Sequence, residues 1–172
     1  MIRRPPRSTR KESSAASDVY KRQEWWRLIT PMLIHFSVAH LVFNCLWIYV
    51  LGSKIELLDG HFVFANLVIF CSICSNLTQY FFGGPSLFGG LSGVVYGMLG
   101  FCMIIELETQ NNRYDLPPAL YLFMIIWLLL GFMGLLTLFG FGNVANFAHL
   151  GGLISGIIFA MIMKYVYKRD LL

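Results

Sequence analysis

The sequence predicts an all-α polytopic membrane protein with five transmembrane helices. Low charge, the spacing of the charges that remain, and two breaker-rich turns predict it. Of 172 residues, 57% are hydrophobic and only 13% are charged, against about 25% in a soluble domain. No Asp, Glu, Lys or Arg occurs in residues 28–53, 60–105 or 116–163. A helix crossing the hydrocarbon layer needs about 20 residues. These gaps therefore hold one, two and two crossings. Each long gap must reverse without a charge, and "GGPSLFGG" (83–90) and "FGFGNVANFA" (139–148) hold the glycine, proline and asparagine that do so.

Taken in order, residues 1–23 carry seven Lys/Arg and two Asp/Glu, so the rest of the chain is close to neutral and the formal charge of +4 belongs to the tail. The basic balance therefore carries no nucleic-acid signal. This Ser/Arg-rich, non-periodic tail is expected to be disordered and resembles an artefactual adapter extension; it lacks the apolar core of a signal peptide. The first crossing covers roughly 38–57, and the second the 60–82 region. The third starts near Ser92 and is expected to end near Glu106. The fourth and fifth occupy 116–163 on either side of the second turn. Lys54, Arg113, Lys164, Lys168 and Arg169 fall on one side, which the positive-inside tendency makes cytoplasmic. The C-terminus then lies inside, and the two chargeless turns lie outside.

Four polar residues converge on the outer side from three separate crossings. His40 and Asn44 share a helix face at i, i+4, Ser92 opens the third crossing and His149 opens the fifth. A third helix of about 15 residues would span about 22 Å, short of the roughly 30 Å layer. Its start is therefore expected to lie submerged, at the floor of a polar cavity open to the outside. A helix start offers unpaired N–H groups, and the glycines of "FGGLSG" bare the backbone beside them. Those are parts of an oxyanion hole, to which Asn44 and His40 could add side-chain donors. His149 suits the base that takes the Ser92 proton, with Tyr96 one turn below packing flat on its ring. Glu24 is the sole acidic residue near that side, so the pattern is a dyad without a carboxylate. Gly93 and Gly97 on the third helix and Gly152 and Gly156 on the fifth are spaced for close helix approach.

Each feature has a plainer alternative. A lone histidine in a bundle is commonly a hydrogen-bonded structural group, and GxSG is a weak motif by itself. Cys71 and Cys74 read as inert buried thiols. The four cysteines, all in membrane segments, give no disulfide framework.

Three stretches in order, "WWRLITPMLIHFSVAHLVFN" (25–44), "GLSG" (90–93) with Tyr96, and "ANFAHLGGLISG" (145–156), resemble the rhomboid family of intramembrane serine proteases, of the compact bacterial type, over roughly 25–168. The resemblance implies a rhomboid-like helical bundle whose family core has six crossings, so that residues 24–172 form a core lacking helix 1. It implies Ser92 as nucleophile, His149 as base, His40, Asn44 and Gly90 at the oxyanion hole, and Tyr96 stacked on His149. It also implies hydrolysis of peptide bonds in or beside transmembrane segments of membrane-protein substrates, in a bacterial inner membrane. No metal or cofactor is implied, and no nucleic-acid partner. The competing functions are a non-catalytic rhomboid-like client-binding protein and a transporter. The absence of charge within the crossings disfavours an ion path.

Overall fold

The computed structural model describes residues 24–84, 86–138 and 144–167. The tail at 1–23, Pro85 and residues 139–143 of the second expected turn lie outside the described residues. Every regular element among the described residues is helical. Two 3-10 turns, Trp25–Leu28 and Thr30–Leu33, lead into α1 (Val38–Asp59). Then follow α2 (His61–Gly83), α3 (Ser92–Thr109), α4 (Pro118–Phe132), the short α5 (Leu135–Leu138) and α6 (Asn146–Tyr167). Helices α1, α2, α3 and α6 are long and apolar enough to cross a membrane, and α4 is a shorter apolar helix of 15 residues. The protein is a membrane-spanning helical bundle carrying the five expected apolar segments.

Local chemistry sets the helix boundaries. The Ser37 side chain accepts the His40 N–H at 3.1 Å and so caps α1. One wider π turn interrupts α1 at Ile48–Gly52. Gly52 sits there directly against Phe64, where an added Cβ would come within 2.8 Å of the ring. Gly60, at φ +93°, makes the turn into α2, a conformation costly for any residue with a Cβ.

The core is built around α3, every residue of which is buried from Gly93 to Cys102. Helix α6 lies against it backbone to backbone. A Cβ on Gly152 would press into the Gly93 carbonyl, and one on Gly156 into the Gly97 carbonyl. Gly100 meets the Leu153 carbonyl in the same way. Only glycine permits this approach, so the expected small-residue seam is present and extends to Gly100. Helix α4 is peripheral: it buries Met124, Leu128 and Gly131, one stripe at i, i+4, i+7.

One expectation is corrected. The third crossing is longer than expected, although it is the shortest of the four helices long enough to cross. It does not stop at Glu106 but runs 18 residues to Thr109, closing at Gln110 in a left-handed conformation (φ 49°). At 1.5 Å per residue this is about 27 Å, which removes most of the shortfall that implied a submerged start. The physical reason is local. The Glu106 carboxylate accepts the Tyr114 N–H at 2.9 Å and the Tyr121 hydroxyl at 2.6 Å. A carboxylate satisfied by protein donors need not sit at the water boundary.

Apart from the Glu24–Arg27 pair at 2.6 Å, the described charges gather at one end of the bundle. Arg113 pairs with Asp59 at 2.8 Å, and Lys164 with Glu108 at 2.8 Å. Lys54 donates to the Tyr114 and Asp115 carbonyls at 2.7 and 3.1 Å. The Tyr114 hydroxyl donates to Asp59 at 2.8 Å. This network joins the α1–α2 turn, the α3–α4 loop and the end of α6.

Candidate active site

Ser92 is the first residue of α3, and His149 lies in the first turn of α6. The glycine seam that begins one residue beyond Ser92 brings the two helix starts together. The Ser92 Oγ lies 2.7 Å from the His149 Nε2, inside the range of a good hydrogen bond. The His149 ring stacks on Tyr96 with centroids 4.8 Å apart and planes 26° apart. His149 is 6% exposed, and its Nδ1 has no hydrogen-bond partner among the described residues. The imidazole is therefore oriented by stacking and packing rather than by a carboxylate.

The loop before Ser92 is shaped by its neighbours. Gly90 donates its N–H to the Pro31 carbonyl at 3.0 Å, and Gly89 fits against Ile34 and that same carbonyl. Gly90 adopts φ +126°. A Cβ there would meet the His40 ring at 2.8 Å and the Asn44 Nδ2 at 3.5 Å. His40, Asn44 and Gly90 thus share one small space beside the start of α3. Asn44 is 4% exposed, and its Nδ2 is a buried donor without a partner among the described residues. A buried amide donor left unpaired costs free energy, so this N–H₂ is available to an incoming acceptor. His40 lies edge-on to His35 at 4.9 Å and stacks on Phe36 at 6.5 Å.

Each residue expected from the sequence therefore falls in this region or along the seam below it. Others were not anticipated. The Gln79 side chain accepts the Ala148 N–H at 3.0 Å, satisfying an orphan donor at the start of α6, one residue before His149. Ser72 and Asn76 donate to the Ile29 and Leu28 carbonyls at 3.3 and 2.7 Å, fixing the segment that holds Gly90. Asn146 donates to the Gly131 carbonyl at 2.8 Å and ties α6 to α4. The i, i+3, i+4, i+7 spacing of Ser72, Ser75, Asn76 and Gln79 was the available signal for a polar inner face on α2. Cys71 and Cys74 are free thiols within α2, Cys71 buried.

A model of the rhomboid domain matches residues 22–166. Similar relatives include a rhomboid protease GlpG of Serratia proteamaculans, 35% identical over 135 residues, which is 78% of this chain and 47% of the relative. The rhomboid protease GlpG of Yersinia pseudotuberculosis shows the same identity and coverage. That of Haemophilus influenzae is 34% identical over 148 residues, 86% of this chain and 74% of the relative. The chain thus spans about half the length of the first two relatives. The rhomboid match runs unbroken from the Trp25–Leu28 turn almost to the end of α6, taking in both partners of the Ser92–His149 contact, and the chain belongs to the rhomboid family.

Proposed function

We propose that this chain is the core of an intramembrane serine endopeptidase in which Ser92 and His149 act as a dyad on a peptide bond in or beside a substrate's transmembrane helix. The observation that carries the proposal is the 2.7 Å contact between Ser92 Oγ and His149 Nε2. In this mechanism Nε2 takes the hydroxyl proton as Oγ attacks the scissile carbonyl carbon. The carbonyl oxygen becomes an oxyanion, facing the Ser92 N–H, the free Asn44 Nδ2 and the His40 ring, with the bare backbone of Gly90 allowing close approach. Collapse of the intermediate breaks the C–N bond, and the imidazolium returns the proton to the leaving amine. Water, deprotonated by the same ring, then hydrolyses the acyl-serine and restores the hydroxyl. Every step uses one base atom and one set of donors.

In this proposal Tyr96 keeps the unsupported imidazole in plane, while Gly93, Gly97, Gly152 and Gly156 set the distance between the two helices. The substrates are transmembrane proteins and the bilayer is the solvent. The site lies at the end away from the Lys54, Arg113 and Lys164 charges, which makes it extracytoplasmic under the positive-inside tendency. The relatives named rhomboid protease support the reaction class. In proteoliposomes, a fluorophosphonate probe should label the wild type and not Ser92→Ala, and only the wild type should cleave a single-pass substrate. Probe labelling of Ser92→Ala equal to the wild type, or cleavage by that variant, overturns the proposal.

A further inference from the structure

The Tyr96 side chain touches two things at once. Its ring stacks on His149, and its hydroxyl donates to the Met124 carbonyl, on α4, at 2.9 Å. The stacking alone needs only an aromatic ring. The hydroxyl adds a bond to a different helix, and both partners are buried, Tyr96 at 2% and Met124 at 4% exposure. A helical carbonyl keeps a second lone pair beyond its intrahelical bond, so this contact can form without disturbing α4.

Helix α4 is the least enclosed of the described helices around the site, with three buried residues. Its fully buried residues are the single stripe of Met124, Leu128 and Gly131, with Leu120 and Tyr121 half-buried beside it and Phe123 and Phe132 in ring contact with Trp47 and Phe147, while Leu122, Ile125, Ile126 and Leu129 are exposed. Two further polar contacts fix its ends: Tyr121 to Glu106 at 2.6 Å and Asn146 to Gly131 at 2.8 Å. The Tyr96 contact lies between them and is the one made by the residue stacked on the base. Among the described residues no carboxylate reaches His149, so its ring angle rests on the Tyr96 stack.

Resting on the protease reading of this site, we propose that the Tyr96 hydroxyl is a positioning group that makes the orientation of His149 depend on the docking of α4. When α4 is seated, the Met124 carbonyl fixes Tyr96 and Tyr96 fixes the imidazole. When α4 shifts, the phenol loses its anchor and the base loses its alignment with Ser92.

The test uses the full chain in proteoliposomes with a cleavable single-pass substrate and a fluorophosphonate probe. Tyr96→Phe keeps the ring and removes only the hydroxyl. It should lower kcat by about 3- to 10-fold, the range set by one buried hydrogen bond, with KM unchanged, because substrate binding is not touched. Tyr121→Phe loosens the foot of α4 far from the substrate. It should also lower kcat, by less, and add no further loss in the Tyr96→Phe background, since the link is already cut. Should Tyr96→Phe yield no folded protein, the Tyr121→Phe single still decides, because it leaves Tyr96 intact. A wild-type kcat in either single variant, a change confined to KM, or losses that multiply in the double variant overturns the coupling. An unlabelled wild type overturns the protease reading and the coupling with it. Normal labelling of the wild type with unaltered variants overturns the coupling alone.

Discussion

Gly152→Ala tests whether the α3–α6 seam sets the Ser92–His149 distance. The added Cβ would fall 2.8 Å from the Gly93 carbonyl carbon and 3.1 Å from its Cα, with the carbonyl oxygen closer still. Ordinary contact begins at 3.4 Å. The difference, 3.4 − 2.8, requires the backbones to part by at least 0.6 Å there. The neighbour is backbone in the most enclosed helix, so it cannot turn aside as a side chain would. Gly93 follows Ser92 directly, and His149 is three residues before Gly152, so the same parting opens the Ser92–His149 contact. Adding it to the 2.7 Å contact gives about 3.3 Å or more, at or beyond the outer edge of a useful proton-transfer distance. Overpacking of this kind costs about 1–3 kcal/mol of stability, and a misplacement of about 1 Å costs up to about 10²-fold in rate. We therefore expect at least a 10-fold loss in cleavage and in fluorophosphonate labelling, with a lower thermal midpoint. Gly100→Ala, which meets the Leu153 carbonyl two turns below Ser92, should lower the midpoint comparably and the rate less. Ile154→Ala, at an exposed position on α6, serves as the control and should change neither. Wild-type labelling by Gly152→Ala at an unchanged midpoint would refute the claim that backbone contact sets the catalytic distance.

Further outcomes are expected of the same site and of the opposite end. Ser92→Ala and His149→Ala should each abolish cleavage, and the double variant should be no worse than either, because a dyad acts as a unit; additive residual rates would count against it. Asn44→Ala should leave measurable activity, since removing one oxyanion donor costs about 10²–10³ in rate and the Ser92 N–H remains; full loss with intact folding would assign Asn44 a larger part. Glu106→Ala removes the acceptor of two hydrogen bonds and should lower stability by about 1–3 kcal/mol, read as a lower thermal midpoint in detergent. Tyr114 holds its proton well above the ordinary value of 10.0, through burial first and then the adjacent Asp59 carboxylate. A raised pKa in the folded state gives stability that is intact below pH of about 10 and lost above it as the unfolded phenol ionises. The midpoint should therefore fall as pH rises past about 10, and this alkaline fall should be shallower in Tyr114→Phe.

The site was legible where rare chemistry stands in a plain background. Ser92, His149, His40 and Asn44 are conspicuous in stretches without charge, and their convergence followed from counting crossings. The glycines at i, i+4 on α3 and α6 announced a close approach that the structure contains. The end of α3 falls three residues beyond the Glu106 that the charge pattern marks, because that carboxylate is held by protein donors. Its partners, Tyr114 and Tyr121, lie 8 and 15 residues onward, and no local pattern announces that pairing. Gln79, Ser72 and Asn76 were passed over for a related reason. Their partners are backbone atoms of Ala148, Ile29 and Leu28, and a backbone acceptor or donor leaves no mark in a sequence. The contact from the Tyr96 hydroxyl to Met124 is hidden in the same way, since its acceptor is a main-chain oxygen.

The proposed nucleophile, its base and the nearby donors enter on three separate helices, in the order α1, α3, α6. Synthesis runs in that order too, at about 5–20 residues per second. A growing chain that has released Ser92 into the membrane still lacks the imidazole for the next 57 residues of the 2.7 Å pair. In the proposed mechanism the hydroxyl is an ordinary alcohol during that interval, since no base stands beside it. Under the proposed mechanism, competence waits until the last of the described helices closes its glycines onto the third.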